Sequence, residues 1–415
     1  MSAMKIYLVG GAVRDQLLGL KSKDRDYVVV GATVKQMLAQ GFKSVGKDFP
    51  VFLHPKTHEE YALARTEQKV AKGYLGFAFN TETSVTLEDD LFRRDLTINA
   101  MALDIDTQKI IDPYGGQQDL EHKILRHVSN AFGEDPVRVL RTARFAARYA
   151  HLGFKVHPDT NKLMQNMVDN GEVDTLVPER VWQELKATLN EKNPSEFIKV
   201  LRTCHALKVI FPEFDKLFGV PQTKKWHPEI DTGIHCMMAM DKAANLANDT
   251  AFAVFNHDLG KGLTPADVLP SHIGHEAAGV PLVKAVCKRL RVPTNYTKLA
   301  VLVCRWHLHA HTAFELRATT INKLFQSTDA FRQPQVFEKF LQACQADATG
   351  RLGKEFSNYP QADFLRKCLN SAAKVDVQAL ISQGFSDKTL GIEITQQRIK
   401  LIEICKKIRC INQTK

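Results

Sequence analysis

Residues 6–15 read IYLVGGAVRD, and residues 24–30 read DRDYVVV. The apolar, partly β-branched run before the two glycines is typical of a buried strand. Glycine lets backbone N–H groups approach a phosphate closely, and residues 12–18 have a helical pattern whose N-terminus would add a positive dipole there. Arg14 would add a full charge. The pattern predicts a phosphate-binding turn between a strand and a helix.

A pair of carboxylates begins the second segment. Asp24 and Asp26 are two residues apart at the start of a predicted strand, so their side chains point to one face while Arg25 points to the other. Two carboxylates on one face suit Mg²⁺, which prefers oxygen ligands and usually completes its shell with substrate phosphates. A Gly-Gly pair alone is usually a turn, and an Asp-x-Asp alone is usually a solvated loop. Their combination favours a phosphate cradle beside a metal site.

The sequence GGAVRD, with Gly11 and Arg14, and the pair Asp24 and Asp26 resemble the first motif of class II tRNA nucleotidyltransferases, the CCA-adding enzymes of the polymerase-β superfamily. The resemblance implies that Asp24 and Asp26 are catalytic Mg²⁺ ligands and that Gly11 and Arg14 cradle the triphosphate. It also implies an α+β protein, with a small polymerase-β-like head containing a mixed sheet, followed by an all-α neck, body and tail. We place these parts at residues 1–118, 119–220, 221–330 and 331–415.

The composition is that of an ordinary globular protein of 415 residues, with 44% hydrophobic and 25% charged residues. The formal net charge of +10 favours a polyanionic partner such as nucleic acid. All eight cysteines lie at or after Cys204 without a Cys-x-x-Cys pair, which favours a reducing cytoplasmic setting over a zinc ribbon or a disulfide framework. Because no signal-like segment opens the chain and no apolar run approaches the ~18 residues of a membrane span, we expect a cytoplasmic protein without a membrane partner.

A third carboxylate is expected on a strand beside the Asp pair, because polymerase-β-type sites commonly have one. Glu60, in the sequence EYALAR, is our candidate for this catalytic residue, with Glu59 and Glu67 as competitors. Residues 66–86 lack a clean period, which predicts either a loop that closes over substrate or an ordinary surface loop.

Residues 88–102, EDDLFRRDLTINAMA, have apolar positions at helical spacing and acids at the start, which predicts one helix. The Arg-Arg-Asp sequence, with Asn four residues on, resembles the second motif of the same family. The resemblance implies that Arg93 and Arg94 contact the triphosphate and that Asp95 and Asn99 hold the ribose. Guanidinium groups match phosphate oxygens, and a carboxylate can accept from a 2′-hydroxyl. An amphipathic helix with an exposed charged face is the structural alternative.

Residues 131–145, AFGEDPVRVLRTARF, predict a helix with Asp135 as N-cap and a basic stripe, Arg138, Arg141 and Arg144. The segment resembles the family's Glu-Asp-x-x-Arg pattern, which reads the incoming base. The resemblance implies that Asp135 accepts from an exocyclic amine and Arg138 donates to a ring acceptor, which C and A permit and U and G do not. Arg141 and Arg144 would supply further nucleotide contacts. The alternative is a basic helix that contacts a phosphate backbone.

Histidines concentrate in the predicted body, around the adjacent pair His257 and Asp258. With His235 upstream and Asp347 downstream, the pair resembles the HD metal-dependent phosphohydrolases. The resemblance implies a transition metal such as Ni²⁺, Co²⁺ or Mn²⁺, held by imidazole and carboxylate groups. It also implies phosphatase, 2′-nucleotidase and 2′,3′-cyclic phosphodiesterase activities, which would repair damaged tRNA 3′ ends.

The metal site needs a further ligand, for which we choose His275, with His272 and His307 as competitors. The helix predicted over residues 178–185 is assigned to the scaffold, and the lysines of the tail are expected to bind tRNA phosphates.

The combined motifs predict a CCA-adding enzyme that uses Mg²⁺, CTP and ATP, binds tRNA, and is a monomer or a weak homodimer. A bacterial poly(A) polymerase shares the head and neck motifs, and separate C-only or A-only adding enzymes share them too. A phosphohydrolase whose head only binds nucleotide is the alternative from another enzyme class.

Overall fold

The computed structural model describes residues 4–22, 24–45, 51–69 and 77–413. The chain forms two compact units, Met1–Leu185 with Glu196–Ile210, and Lys186–Ser195 with Phe211–Lys415. The first unit contains the predicted head and most of the predicted neck, and the second contains the predicted body and tail. The division into four parts stays a prediction.

The strands, all in the first unit, are β1 (Lys5–Val9), β2 (Asp26–Val30), β3 (Lys43–Val45), β4 (Val51–Leu53), β5 (Glu60–Leu63), β6 (Thr66–Lys69), β7 (Phe77–Asn80), β8 (Ala102–Asp104), β9 (Ile110–Ile111), β10 (Ile124–Leu125) and β11 (Lys155–Val156). Seven of them form one mixed sheet in the order β3-β4-β5-β2-β1-β8-β9, in which only β2 and β5 run parallel. This sheet, followed by helices, confirms the α+β prediction.

The helices that lie mainly in the first unit are α1 (Gly11–Leu17), α2 (Val34–Ala39), α3 (Leu87–Phe92), α4 (Gly116–Glu121), α5 (Val137–Tyr149), α6 (Pro158–Asp169), α7 (Pro178–Thr188), α8 (Ser195–Thr203) and α9 (Leu207–Ile210). Those of the second unit are α10 (Pro212–Asp215), α11 (Thr232–Ala243), α12 (Asn248–Asn256), α13 (His275–Arg289), α14 (Thr294–His311), α15 (Ala318–Ser327), α16 (Pro334–Thr349), α17 (Pro360–Ala372), α18 (Val377–Ser382) and α19 (Asp387–Gln413). Across the described ranges, no helix combines the length and apolar character that a bilayer span requires.

The seven-stranded sheet buries side chains on both faces. Alternate residues of a strand point to opposite sides, so Val29 packs with Met37 of α2, whereas Val28 packs with Leu91 of α3. Asp26 precedes Val28 by two residues and therefore belongs to the α3 side of the sheet. The apolar alternation of β2 thus sets the direction in which this carboxylate points.

The prediction of one helix over residues 88–102 is wrong. Helix α3 ends at Phe92, and the chain continues through a 3₁₀ turn, Thr97–Asn99, into β8. The N–H of Thr97 donates to the carbonyl oxygen of Arg126 at 2.9 Å, so this backbone pairs with a later part of the chain rather than with itself. Local periodicity does not reveal such a partner.

Two other expectations also need correction. The segment 66–86 contains the antiparallel pair β6–β7 rather than a loop throughout, and its middle, residues 70–76, lies outside the described residues. The predicted all-α neck contains the short parallel pair β10–β11.

In the second unit, the 3₁₀ segment Leu259–Leu263 follows α12 and packs closely against α13. A Cβ atom at Gly260 would lie 2.0 Å from the carbonyl oxygen of His275 and 2.7 Å from the backbone nitrogen of Gly279. Only glycine permits this contact of backbone with backbone. The contact fixes the end of α12 beside the start of α13.

We expect Gly260→Ala to lower the free energy of unfolding of the second unit by about 1–3 kcal/mol, because overpacking forces backbone and side chains apart. Urea unfolding followed by far-UV circular dichroism measures the change. Gly262→Ala is the matched control, since its Cβ would lie 3.4 Å from the nearest atom, the Cβ of Lys216. Equal stability of the two variants would contradict the close packing.

Candidate functional site

A cavity of about 580 Å³ in the first unit gathers residues from β2, α5, α7, the turn after β1 and the segment that follows α3. Half of its sixteen lining residues are arginines. The full set is Gly10, Gly11, Arg14, Asp24, Asp26, Arg93, Arg94, Asp95, Asn99, Asp135, Arg138, Arg141, Arg144, Phe145, Arg148 and Arg180. Every head and neck residue predicted from the sequence lies in this cavity except Glu60.

The turn after β1 requires glycine. Gly10 has a φ of +68°, a left-handed conformation that L side chains rarely adopt, and its N–H donates to the carbonyl oxygen of Met101 at 3.1 Å. A Cβ atom there would lie 2.8 Å from Nη1 of Arg94. The missing side chain therefore lets Arg94 lie against the turn.

Arg14, predicted as a phosphate contact, is held from several sides. Its Nε donates to Oδ1 of Asp15 at 2.9 Å, and its Nη1 donates to Oδ1 of Asn99. Its guanidinium carbon lies 5.2 Å from the ring centroids of Phe145 and Tyr149, within the range of a cation–π contact. The charge is thus almost fully buried and fixed in place at the edge of the cavity.

Asp90 anchors the adjacent pair Arg93 and Arg94. Its Oδ1 lies 2.6 Å from Nη2 of Arg93, and its Oδ2 lies 3.0 Å from Nη2 of Arg94. Burial raises the pKa of Asp90, but the charges of Arg94 and Arg93 outweigh it and bring this pKa below its usual value. One buried carboxylate therefore orients both guanidinium groups.

Asp95 accepts hydrogen bonds on both carboxylate oxygens. Nε of Arg141 donates to Oδ2 at 2.7 Å, while Nδ2 of Asn99 and the N–H of Leu96 donate to Oδ1 at 2.9 and 2.8 Å. Burial opposes ionisation of Asp95, but the charge of Arg141 and these hydrogen bonds hold its pKa well below the usual range. The residues predicted to hold the ribose thus form one connected group.

The two residues predicted to read the base are each fixed by other groups. Asp135 accepts two hydrogen bonds from Arg180, at 3.2 and 3.1 Å, and a third from the N–H of Val137 at 3.0 Å. Arg138 is buried, and it donates to the carbonyl oxygens of Ala131 and Arg93 at 2.7 and 2.6 Å.

Helix α7, which sequence analysis assigned to the scaffold, contributes to the cavity. Its Arg180 holds Asp135, and one turn later Glu184 accepts from Nε of Arg144 at 2.6 Å. The role of Asp90 was not predicted from the sequence either. The signal available in the sequence was the position of Asp90, three residues before Arg93 and four before Arg94. No local pattern indicates which residues α7 contacts.

The pair Asp24 and Asp26 lines the cavity. Burial raises the pKa of Asp26 above its usual value; the charge of Arg94 opposes this effect and the charge of Asp24 adds to it. A divalent cation between the two carboxylates would relieve their repulsion, and carboxylate oxygens are ligands that Mg²⁺ prefers.

Glu60 lies opposite Asp26 in the parallel register of β5 and β2, and the side chains of such a pair share one face of the sheet. Glu60 and Glu59 both line a second cavity of about 700 Å³, to which Asp24 and Asp26 also contribute. The side chain of the other competitor, Glu67, lies outside the described residues. The carboxylate pair therefore lines two cavities.

The second unit brings together the four residues of the predicted HD site. Nε2 of His235 lies 3.1 Å from Oδ1 of Asp347 and 3.8 Å from Oδ2 of Asp258. Nε2 of His257 lies 3.1 Å from Oδ2 of Asp258 and 3.8 Å from Oδ1 of Asp347. These buried side chains come from α11, α16 and the end of α12, and their nitrogen and oxygen atoms lie close enough together to hold a metal ion.

His275 joins this group, and His272 does not. Nε2 of His275 lies 3.2 Å from Oδ1 of Asp258. His272 instead hydrogen-bonds Thr264 and the carbonyl oxygen of Pro221, at 2.7 and 3.0 Å. His307, the other competitor, also approaches Oδ1 of Asp258, at 3.6 Å.

Positive side chains adjoin both carboxylates of the cluster. Nζ of Lys261 lies 2.6 Å from Oδ2 of Asp258, and Nη2 of Arg351 lies 3.2 Å from Oδ1 of Asp347. Burial raises the pKa of Asp258, but the charges of His257 and Lys261 outweigh it and hold this pKa well below the usual value. Burial also raises the pKa of Asp347, but the charges of His311 and Arg351 outweigh it and hold this pKa well below the usual value, so both carboxylates are ionised.

Glu229, which was not predicted from the sequence, places a buried carboxylate beside the cluster. Its Oε1 lies 3.0 Å from Nδ1 of His235 and 3.0 Å from Nδ1 of His227. A carboxylate on the outer nitrogen orients a metal-binding imidazole. The His227-x-Glu229 sequence ahead of His235 was too short a signal to identify this partner.

Two family profiles match the chain. One, described as "Poly A polymerase head domain", covers residues 6–126, and the other, described as "Probable RNA and SrmB- binding site of polymerase A", covers residues 153–218. Among solved structures, the fold is similar to a CCA-adding enzyme in complex with CTP, with a TM-score of 0.64 and 22% identity over 96% of this chain and 87% of that chain. It is also similar to the Thermotoga maritima CCA-adding enzyme complexed with tRNA, with a TM-score of 0.62 and 22% identity over 98% of this chain and 91% of that chain.

Relatives that match along almost the full length of the chain identify its family more specifically than the two profiles do. The chain is 56% identical over 402 residues to the multifunctional CCA protein of Thioalkalivibrio sulfidiphilus, covering 96% of this chain and 98% of that protein. It is 55% identical over 402 residues to the multifunctional CCA protein of Hahella chejuensis, covering 96% of this chain and 95% of that protein. Because such close relatives span almost the whole of both chains, this chain belongs to the family of multifunctional CCA proteins and is a nucleotidyltransferase enzyme of the CCA-adding type.

Proposed function

We propose that this enzyme adds CCA to the 3′ end of tRNA, joining CTP, CTP and ATP in turn and releasing pyrophosphate at each step. The observation that carries the proposal is the arginine-rich cavity, in which Asp24 and Asp26 lie together with eight arginines. The head profile alone would also fit a poly(A) polymerase, and the close full-length relatives favour CCA addition.

The carboxylates of the cavity fit a requirement for Mg²⁺. Asp24 and Asp26 would hold the ion, and Glu60 is our choice of third carboxylate because the sheet register sets it opposite Asp26. Bound Mg²⁺ would neutralise the triphosphate and favour ionisation of the attacking 3′-hydroxyl. Since the two aspartates line both cavities, the arginine-rich one would take the nucleotide and the adjoining one the RNA end.

The arginine wall would bind the nucleotide in a fixed position. Arg93 and Arg94, oriented by Asp90, present guanidinium groups to the triphosphate together with Gly11 and Arg14. The ribose would lie against Asp95 and Asn99, which Arg141 supports, while Arg144 adds a further contact. Such fixed donors stabilise the negative charge that develops on the phosphates without reorganising during the reaction.

Base selection would depend on Asp135 and Arg138. Asp135 can accept from the exocyclic amine of C or A, and Arg138 can donate to a ring acceptor, whereas the oxo groups of U and G face the carboxylate unfavourably. Arg180 is the positioning residue, because its two hydrogen bonds fix the plane of the Asp135 carboxylate.

We expect Asp24→Asn combined with Asp26→Asn to reduce nucleotide addition by at least about 100-fold, because the metal ligands are lost. Extension of a tRNA that lacks CCA is measured with CTP alone, ATP alone, or both. The unaltered enzyme should add two nucleotides with CTP alone and three with both, and Asp106→Asn, an exposed head carboxylate, is the control. A long ladder with ATP alone would indicate a poly(A) polymerase, and addition of only C or only A would indicate a partial enzyme.

We expect Arg180→Gln to lower the preference for CTP over UTP by about 10-fold, equivalent to roughly 1.4 kcal/mol, because the Asp135 carboxylate can then rotate. The readout is the ratio of kcat/KM values for the two nucleotides, which a loss of folded enzyme alone would leave unchanged. Gln183→Ala, at an exposed position of the same helix, is the matched control. An unchanged ratio would exclude the positioning role.

We further propose that the second unit is a metal-dependent phosphohydrolase with phosphatase, 2′-nucleotidase and 2′,3′-cyclic phosphodiesterase activities. The supporting observation is the buried set His235, His257, Asp258 and Asp347, whose nitrogen and oxygen atoms suit a transition metal such as Ni²⁺. Such an ion would activate water and neutralise a phosphate group. The cations flanking the carboxylates would contribute charge toward the same phosphate.

We expect Asp258→Asn to abolish hydrolysis of 2′,3′-cyclic AMP while CCA addition stays within about twofold, because the two sites use separate residues. Both activities are measured on the same preparation, the first with Ni²⁺ and the second with Mg²⁺. His309→Ala, on α14 outside the ligand set, is the control. Persistent Ni²⁺-dependent hydrolysis by Asp258→Asn would move the hydrolase site away from this cluster.

A further inference from the structure

A closed loop, residues 221–231, lies between α10 and α11 and presents an indole ring to solvent. An isolated β-bridge between Pro221 and Asp231 closes the base of the loop. The N–H of Trp226 donates to the carbonyl oxygen of Thr223 at 3.0 Å, which forms a turn at the far end. Trp226 is 59% exposed, although tryptophan is largely buried in most proteins. The loop therefore holds a large aromatic ring outward.

The inner side of the loop contacts the metal-ligand cluster. Oε1 of Gln222 accepts from Nζ of Lys261 at 2.5 Å, and the same Nζ lies 2.6 Å from Oδ2 of Asp258. Near the other end of the loop, Oε1 of Glu229 lies 3.0 Å from Nδ1 of His235. The loop is therefore fixed against the predicted hydrolase site.

A second exposed segment, residues 351–356, adjoins this loop. The N–H of Leu352 donates to Oε2 of Glu229 at 3.2 Å, so the two segments share one carboxylate. Phe356 is 99% exposed and Leu352 is 54% exposed. Arg351, at the start of the segment, is the cation beside the second carboxylate of the cluster. Both segments thus carry an exposed aromatic ring and contact the same site.

Lysines accompany both rings. Nζ of Lys225 lies 4.8 Å from the ring centroid of Trp226, and Nζ of Lys242 lies 5.4 Å from that of Phe356. Exposed rings with neighbouring cations are a combination that binds single-stranded nucleic acid, because bases stack on the rings and phosphates contact the cations. Two further lysines of the segments are exposed, Lys224 and Lys354.

The charge of this surface favours RNA over a second copy of the chain as its partner. In a symmetric dimer the same surface would face itself, so lysines would meet lysines, which is costly. An RNA end brings phosphates to the lysines instead. RNA that carries a terminal phosphate is also the kind of substrate that the proposed hydrolase requires.

We propose that Trp226 and Phe356, with Lys225 and Lys242 beside them, form a stacking platform for single-stranded RNA that ends in a 3′-phosphate or a 2′,3′-cyclic phosphate. The inference rests on the proposed hydrolase activity and specifies the substrate class of that site. Bases that precede the end stack on the rings, while the terminal phosphate reaches the metal-ligand cluster. Because stacking tolerates every base, the platform accepts 3′ ends of any sequence.

Tryptophan fluorescence tests the platform without hydrolysis. Of the three tryptophans, all among the described residues, Trp182 and Trp306 are buried, so a base that stacks on Trp226 would quench the exposed indole. Without added metal, titration of the whole chain with a short single-stranded RNA ending in a 3′-phosphate should quench the fluorescence, and Trp226→Phe should abolish the quenching. Phe356→Ala should weaken the binding measured through Trp226 by about 10-fold. Phe92→Ala, at an exposed aromatic residue of the first unit, should leave it unchanged.

Hydrolysis provides the second readout. Trp226→Ala should raise the KM for an RNA ending in a 2′,3′-cyclic phosphate by about 10-fold and leave kcat within about twofold, because the platform binds bases away from the reacting phosphate. Trp226→Phe should keep this KM within about threefold of the parent value, since it retains a ring on which a base can stack.

No quenching together with an unchanged KM would overturn the platform and leave the hydrolase intact. Quenching by RNA in a parent that hydrolyses no phosphate would retain the platform and overturn the hydrolase. A parent dimer that Trp226→Ala converts to a monomer, measured by sedimentation, would assign the surface to self-association and overturn the RNA platform.

Discussion

Eight guanidinium groups around one cavity repel one another, and the architecture of the first unit depends on how that repulsion is balanced. Carboxylates balance part of this charge: Asp90 binds two arginines, Asp95 binds Arg141, and Glu184 binds Arg144. Each pair also fixes a side chain that would otherwise be long and mobile, which reduces the entropy lost when a polyanion binds. The cavity is therefore a preorganised site with a surplus of positive charge.

The second unit instead has to balance buried carboxylates. Its cluster collects imidazole lone pairs and carboxylates in an interior where unpaired charge is costly. Lys261 and Arg351 balance part of it, each beside one carboxylate. The cavity of the first unit thus presents mainly positive side chains, whereas the cluster of the second unit combines imidazoles and carboxylates with two flanking cations.

The sequence was sufficient where function depends on local spacing, and insufficient where it depends on contacts between distant segments. The glycine turn and the Asp24 and Asp26 pair are short-range patterns that period and residue type reveal. The contribution of α7 to the cavity, made by Arg180 and Glu184 to residues about 40 positions away, has no local signature. Nothing in the sequence alone distinguished His275 from His272 as the further ligand of the predicted metal site. The structure distinguishes them, because Gly260 brings the start of α13 against the end of α12.

The hydrogen bonds of Arg138 restrict motion of the segments that line the cavity. Arg138 belongs to α5, yet one of its hydrogen bonds goes to the main chain at Arg93, so it links the two walls that face the nucleotide. A hydrogen bond from a charged donor contributes about 1.5–3 kcal/mol to stability. A state in which this bond is broken and the two walls are apart would therefore be populated roughly one-tenth of the time or less. A nucleotide is thus expected to enter and leave through the existing opening of a rigid cavity. Exchange would not require the two walls to separate.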